Sequence, residues 1–154
     1  MVYAHLHRGR VSLPGQIYFL TTTTFERYPV FADFACARQV VNEMRRLHDS
    51  ALVSSLAWVV MPDHLHWLLS LGHTHSLAIM VKMLKGRTAV AVNRSAKRRG
   101  PIWQQGYFEH ALRDDEDLAG IARYIVANPV RKKIVQRVGD YPHWDAIWVE
   151  PQRK

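Results

Sequence analysis

The residues best suited to chemistry in this sequence are histidines in His-x-His triplets and a tyrosine and asparagine spaced four apart. Three triplets occur, His5/His7, His64/His66 and His73/His75. Side chains two apart on a β-strand point to one face, with Cα atoms roughly 6.6–6.8 Å apart. From that spacing two imidazoles can converge on one cation. His64/His66 alone falls inside an expected strand, where Leu65, Trp67, Leu69 and Leu71 form the opposite, apolar face. That division sends the leucine face to the core and leaves the histidine face for a metal and a substrate. Two imidazoles satisfied by water are the competing reading. Asp63 reads as a turn residue rather than as an acceptor that orients an imidazole. His5/His7 lies on a loose terminus that holds no geometry, and His73/His75 flanks a loop.

The second candidate lies on an expected helix, capped by Asp114 and carrying acidic residues in its first turn, as the helix dipole prefers. Leu118, Ile121, Ala122 and Ile125 make its buried stripe. Tyr124 and Asn128 share a face, with Gly120 one turn earlier. A glycine inside a helix costs about 1 kcal/mol against alanine; close approach of a substrate backbone or of another helix would offset that. Tyr124 by itself reads as an ordinary half-buried aromatic. Asn128, before Pro129, is either the N-cap of the next segment or a metal ligand.

The elements that must position these residues follow from hydrophobic spacing. Gln16 to Phe25 is β-favouring, with four threonines in a row. Asp33 caps a helix to about Ser50. Ala51 to Met61 and His64 to Leu71 are strands joined by a tight Pro62–Asp63 turn, hence an antiparallel hairpin. Ser76 opens a helix to about Arg94, Trp103 to Leu112 is a fourth strand, and the tyrosine helix follows. From Pro129 on, a short helix and a tail are expected. The first six elements form the βαββαβ order of a ferredoxin-like α+β sandwich, one antiparallel sheet with two helices on one face. The additional C-terminal helix must lie near the other face or an edge.

The chain has 154 residues, a net charge of +8 and a pI near 10.0. This suits a single domain over 1–154, with 1–12 a flexible basic N-terminus and 129–154 a C-terminal extension. The single cysteine, Cys36, excludes an intramolecular disulfide, and nothing else marks an oxidising compartment, so a cytoplasmic, nucleoid-associated location is expected. No apolar run reaches the length of a membrane span. The basic balance favours a polyanionic partner such as nucleic acid.

The run Met61-Pro62-Asp63-His64-Leu65-His66-Trp67-Leu68-Leu69, followed much later by Tyr124-Ile125-Val126-Ala127-Asn128-Pro129-Val130-Arg131, resembles the REP-associated tyrosine transposases of the single-tyrosine HUH transposase superfamily. Pro14 to Thr21 and Trp103 to His110 resemble the same family in the same order, so the likeness runs from about Pro14 to Trp148. The resemblance implies a divalent metal, Mg2+ or Mn2+, held by His64, His66 and Asn128, the last standing where some relatives have a glutamine. It implies Tyr124, on the additional helix, as the nucleophile. The activity implied is that of a DNA-nicking and joining transposase acting through a 5′-phosphotyrosine on single-stranded or hairpin DNA, the hairpin being a repetitive extragenic palindrome. Relatives include monomers and homodimers.

Cations for gripping such a substrate are Arg8, Arg10, Lys82, Lys85, Arg87, Arg94, Lys97, Arg98, Arg99, Arg131 and Lys132, with Lys133 and Arg137 beside them; a solvated basic face is the alternative. Trp103, Tyr107, Trp144 and Trp148 are candidates for stacking on bases, though such aromatics more often belong to a core. Two rival functions remain open at this stage. One is a non-catalytic RNA- or single-strand-binding module that stacks bases on Tyr18 and Phe19. The other is a metal nuclease that uses water and forms no covalent link.

Overall fold

The computed structural model describes residues 13–147; Arg8, Arg10, Trp148 and the His5/His7 triplet lie outside them. The ferredoxin-like order is present. β1 (Ile17–Thr23), α1 (Phe34–Asp49), β2 (Val53–Met61), β3 (His64–Leu71), α2 (Leu77–Ala96) and β4 (Phe108–Ala111) are followed by α3 (Leu118–Val126), a short α4 (Asn128–Arg131) and β5 (Trp144–Ala146). One five-stranded sheet has the order β4-β1-β3-β2-β5, with every pairing antiparallel. The β2–β3 hairpin turns on Pro62 and Asp63, so Met61 faces His64.

The two faces of the sheet build two apolar layers. Leu20, Leu65, Trp67 and Leu69 meet Val40 and Met44 of α1 and Met80 and Leu84 of α2. On the other face Val59, Met61 and Leu68 meet Ala122, Ile125 and Val126 of α3. Full burial of a side chain such as Ile125 stabilises the docked helix by about 1.5–3 kcal/mol, which fixes α3 across the histidine face. Both helices of the first layer start where expected. Asp33 accepts from the Cys36 amide at 3.0 Å and Ser76 from that of Ile79 at 3.2 Å, each pairing an otherwise orphaned first-turn donor.

Four local expectations are corrected. The fourth strand is shorter than Trp103 to Leu112. Lys85 Nζ donates to the carbonyls of Gln104 at 2.8 Å and Gly106 at 2.5 Å, and Gly106 turns at φ +84°, so the chain arches before it joins β1. The tyrosine helix is capped by Asp117, not Asp114. Residues before it form a turn in which the Glu116 carboxylate accepts from the Arg113 amide and pairs with His110 Nε2. Gly120 lies in the first turn of α3, where its amide donates to Asp117 Oδ1 at 3.0 Å, rather than inside the helix. The tail beyond α4 is a fifth strand on the β2 edge, secured where Tyr141 Oη donates to the Val60 carbonyl at 2.6 Å.

Candidate functional site

Strand register assembles a cleft of about 430 Å³, lined by Thr21, Thr23, Arg27, His64, His66, Tyr124, Asn128, Arg131 and Lys132. β3 sends Leu65 and Trp67 into the first core layer, so His64 and His66 emerge on the face that α3 only partly covers. β1 lies antiparallel alongside, setting Thr21 opposite His66 and Thr23 opposite His64. α3 crosses from the other side and, through α4, brings Tyr124 and Asn128 to the same cleft.

Both imidazoles are held by one nitrogen. His64 is 6% exposed, and its Nδ1 lies 2.8 Å from Asp63 Oδ1. Burial works to raise the Asp63 pKa, but the His64 hydrogen bond and the charges of His64 and Arg27 outweigh it and hold the carboxyl low. The ionised carboxylate can only accept, so the proton of neutral His64 sits on Nδ1 and the lone pair on Nε2. Asp63 thus orients the ring as well as making the turn, a correction to its reading as a turn residue. Its other oxygen accepts from Arg27 Nε at 3.1 Å.

His66 Nδ1 pairs with Thr21 Oγ1 at 2.8 Å, and the two ring centroids are 4.6 Å apart. Desolvation, then the neighbouring His64, Arg131 and Arg27 charges, push the His66 pKa down to about 3. Burial lowers that of His64 as well, against the pull of Asp63. Both rings are therefore neutral at physiological pH, the form in which imidazole binds metals.

Asn128 is 2% exposed, and its Nδ2 lies 3.2 Å from His64 Nε2. The cap of α4 is Ala127, and Asn128 makes no capping bond, so the N-cap alternative is overturned. Tyr124 is 54% exposed. The Arg131 guanidinium carbon lies 3.7 Å from its ring centroid, and Arg131 Nη1 donates to the Tyr124 carbonyl at 2.7 Å. Among the described residues no group of three His, Cys, Asp or Glu side chains could hold a metal ion. A cation in this cleft would rest on two imidazoles and an amide. The donor set fits: two neutral rings fixed through Nδ1, an adjacent amide, and the buried Thr23 Oγ1, which has no hydrogen-bond partner among the described residues. Remaining coordination positions would fall to water or phosphate oxygens.

The other candidates are dispersed. Of the basic set, Arg131 and Lys132 line the cleft. Lys82, Arg87 and Arg94 sit on α2, against the opposite face of the sheet, and Arg87 lies 3.9 Å from Glu43. Lys85 is turned inward onto the two loop carbonyls, with desolvation lowering its pKa to about 8, so it does not join the exposed cations. Lys97, Arg98 and Arg99 form a separate loop beyond α2. Trp103 and Tyr107 are buried in the first core layer, and Trp144 Nε1 donates to the Val138 carbonyl, so these three serve packing rather than stacking. Tyr18 is buried in the first layer, and Phe19 packs in the second, 5.4 Å from the His66 ring. With Tyr18 and Phe19 both packed, the open stacking platform that the RNA-recognition reading gave these two rings is absent.

Thr21, Thr23 and Arg27 were not singled out from the sequence. The two threonines carried a usable signal, since positions two apart on β1 share a face, but the register against β3 was needed to say which face. Arg27 carried none, because its placement depends on a left-handed backbone at φ 57°.

A family described as "Transposase IS200 like" matches residues 14–128. A Haemophilus influenzae protein assigned as a REP-associated tyrosine transposase is 29% identical over 143 residues, covering 84% of this chain and 78% of the relative. A REP-associated tyrosine transposase of Escherichia coli K12 is 33% identical over 88 residues, covering 56% and 50%. The fold matches the structure of a REP-associated tyrosine transposase bound to a REP hairpin, with a TM-score of 0.74, 22% identity and coverage of 94% and 84%. A Deinococcus radiodurans protein assigned as a transposase matches with a TM-score of 0.55, 26% identity and coverage of 77% and 94%. The chain belongs to the IS200-like transposase family and, among its relatives, resembles the REP-associated tyrosine transposases.

Proposed function

We propose that this chain nicks and rejoins single-stranded DNA next to a hairpin, with Tyr124 as nucleophile and a divalent cation on His64, His66 and Asn128. The observation that carries the reading is the convergence of a tyrosine, two neutral imidazoles and a buried amide on one cleft from elements distant in sequence. The cation, when bound, supplies polarisation of a non-bridging phosphate oxygen. Asp63 and Thr21 hold the rings by their Nδ1 atoms, which leaves the Nε2 atoms for a cation, that of His64 beside the Asn128 amide. Asn128 offers its oxygen after a half-turn of the amide. Arg131 and Lys132, lining the same cleft, suit the negative charge of the phosphodiester.

In the proposed step Tyr124 Oη attacks phosphorus, the Oη–P bond forms, and the P–O3′ bond breaks. The phenolic proton passes to solvent and the departing 3′-oxygen takes one up, leaving a free 3′-hydroxyl and a 5′-phosphotyrosine. Because the new ester conserves the phosphodiester linkage, a DNA hydroxyl can later reverse the step; attack by water would forfeit that option. The hairpin partner is suggested by the REP hairpin bound to the similarly folded transposase. Magnesium and manganese both suit the site, the two imidazole nitrogens favouring manganese and cellular abundance favouring magnesium.

The experiment is trapping of a covalent protein–oligonucleotide adduct with manganese present, for the wild type and Tyr124→Phe. An adduct with the wild type and none with the variant is expected. An adduct that survives the change would remove Tyr124 as nucleophile, and scission without any adduct would favour the water-using nuclease.

A further inference from the structure

Beyond the end of β1 the chain makes a turn that stands between the histidine cleft and a second hollow. Glu26 and Arg27 take left-handed backbone angles, φ 54° and 57°. Neither is glycine, and each costs roughly 1–2 kcal/mol in that region; strain of this kind gathers at ligand clamps. The turn is nevertheless fixed. Thr24 Oγ1 donates to the Tyr28 carbonyl at 2.8 Å, and the Phe25 amide to the Ile102 carbonyl at 2.9 Å. It brings Arg27 to Asp63 in the cleft and lines the hollow with Phe25, Glu26 and Tyr28.

The hollow measures about 240 Å³, and its other wall includes Arg98, Arg99 and Ile102. That wall is tied to α2, where Asn93 Nδ2 donates to the Gly100 carbonyl at 2.9 Å. Two aromatic rings stand open here, Phe25 at 42% and Tyr28 at 58% exposure. The Arg98 guanidinium carbon lies 5.1 Å from the Tyr28 ring centroid.

We propose that this hollow binds one unpaired nucleobase of the DNA strand whose phosphate occupies the histidine cleft, with the base stacked on Tyr28 and the flanking phosphates on Arg98 and Arg99. The size fits a single base: it falls below the roughly 300–1,000 Å³ of drug-sized pockets, far from the room a duplex stem needs. A tyrosine face with an arginine beside it is the surface that holds unpaired bases in single-strand binders. The Glu26 carboxylate in the lining disfavours a phosphate inside, so the base points inward and the backbone stays at the arginine rim. Arg27 makes the connection, because one strained turn serves both the cleft and the hollow.

The proposal rests on the DNA-binding part of the function given above, not on its cleavage chemistry, and is tested by binding alone. Equilibrium affinities are measured at fixed salt for a hairpin carrying an unpaired flank and for the same hairpin trimmed blunt. Tyr28→Ala should weaken binding of the flanked hairpin by roughly 5- to 100-fold, the range for losing one base stack, and leave the blunt hairpin unchanged. Tyr28→Phe keeps the ring and should bind like the wild type, which separates stacking from a folding defect. An abasic site stepped through the flank should reproduce the Tyr28→Ala loss at one position in the wild type and add nothing in the variant. Equal losses on both hairpins, or none on either, would overturn the pocket while leaving DNA binding intact. Failure of the wild type to bind either DNA would overturn the DNA-binding reading and the pocket with it.

Discussion

The two halves of the candidate site are built differently. His64 and Asn128 are buried and His66 is largely covered, each joined by side-chain hydrogen bonds to Asp63, Thr21 or one another. Tyr124, across the same cleft, is half exposed and steadied by Arg131. The contrast is between a tightly held proposed ligand set, two histidines on the central strand of a five-stranded sheet with Asn128 beside them, and a proposed nucleophile on the open face of a nine-residue helix. A metal site gains from such fixing, because ligands held in place need not be ordered when the cation binds. A nucleophile that ends up bonded to DNA must present itself to a strand and later carry it, which a half-exposed ring permits.

The largest effect is expected on the rigid half. His64→Ala or His66→Ala should abolish scission and adduct formation, and a chelator should do the same to the wild type. Affinity for a hairpin carrying an unpaired flank should stay near that of the wild type, since Tyr28, Arg98 and Arg99 lie outside the cleft. Parallel gel assays of scission and binding check this. Scission persisting in His64→Ala with its metal dependence intact would break the contrast by moving the cation elsewhere.

Much of the rigid half was legible in the sequence, and the reasons are physical. The alternation of His64 and His66 with Leu65, Trp67 and Leu69 states which way each side chain points, because the strand period is two. Pro62–Asp63 states where the hairpin turns. The tyrosine helix was legible from its apolar stripe; the spacing of four put Tyr124 and Asn128 on one face, and only the family resemblance singled them out. What stayed hidden depends on contacts between elements. The Asp63–His64 bond needs a side-chain rotamer, and Thr21 and Thr23 needed the register of β1 on β3. Asp114 was read as the cap of α3, but the turn closed by Glu116 on the Arg113 amide and His110 delays the helix, so that Asp117 caps it. β5 is three residues long, too short to show a period of its own.

A smaller effect is expected one bond further out. Asp63→Asn keeps the turn and the shape but replaces the carboxylate that fixes the His64 tautomer. Loss of an outer partner of this type costs about 10–100-fold in metal affinity or activity. Titrating activity against manganese should show the loss chiefly as a raised metal requirement. An unchanged manganese curve would mean that the ring is oriented by packing and by Asn128 instead.

The neutral imidazoles also set a pH dependence for the metal-free protein. His66 has an ordinary pKa of 6.5 when unfolded and about 3 when folded. Between those values the unfolded chain binds a proton that the folded chain refuses, so stability is full above 6.5 and falls as the pH is lowered towards 3. The slope for one such group reaches about 1.4 kcal/mol per pH unit. His64, also lowered, acts in the same direction. Urea unfolding in chelator at pH 6.5 and 5.5 should show this decline, and His66→Asn should flatten it. A variant as pH-sensitive as the wild type would locate the titration elsewhere.

The smallest effect is expected on the open half, and it discriminates most finely. Arg131 was grouped from the sequence with cations that grip phosphate, yet its guanidinium carbon lies 3.7 Å over the Tyr124 ring centroid and one nitrogen holds the Tyr124 carbonyl. A flexible ammonium can replace the charge but not the guanidinium's simultaneous contact with the ring and hydrogen bond to the carbonyl. If Arg131 only attracts phosphate, Arg131→Lys should form adduct at the wild-type rate. If it positions the nucleophile, both Arg131→Lys and Arg131→Ala should slow adduct formation by roughly two- to tenfold, in keeping with an exposed cation–π contact and one hydrogen bond. Arg131→Lys alone should then retain hairpin affinity. Single-turnover rates at saturating DNA separate the two roles, because binding no longer enters the rate. A lysine variant with the wild-type single-turnover rate would return Arg131 to the phosphate-gripping set and leave Tyr124 positioned by its helix alone.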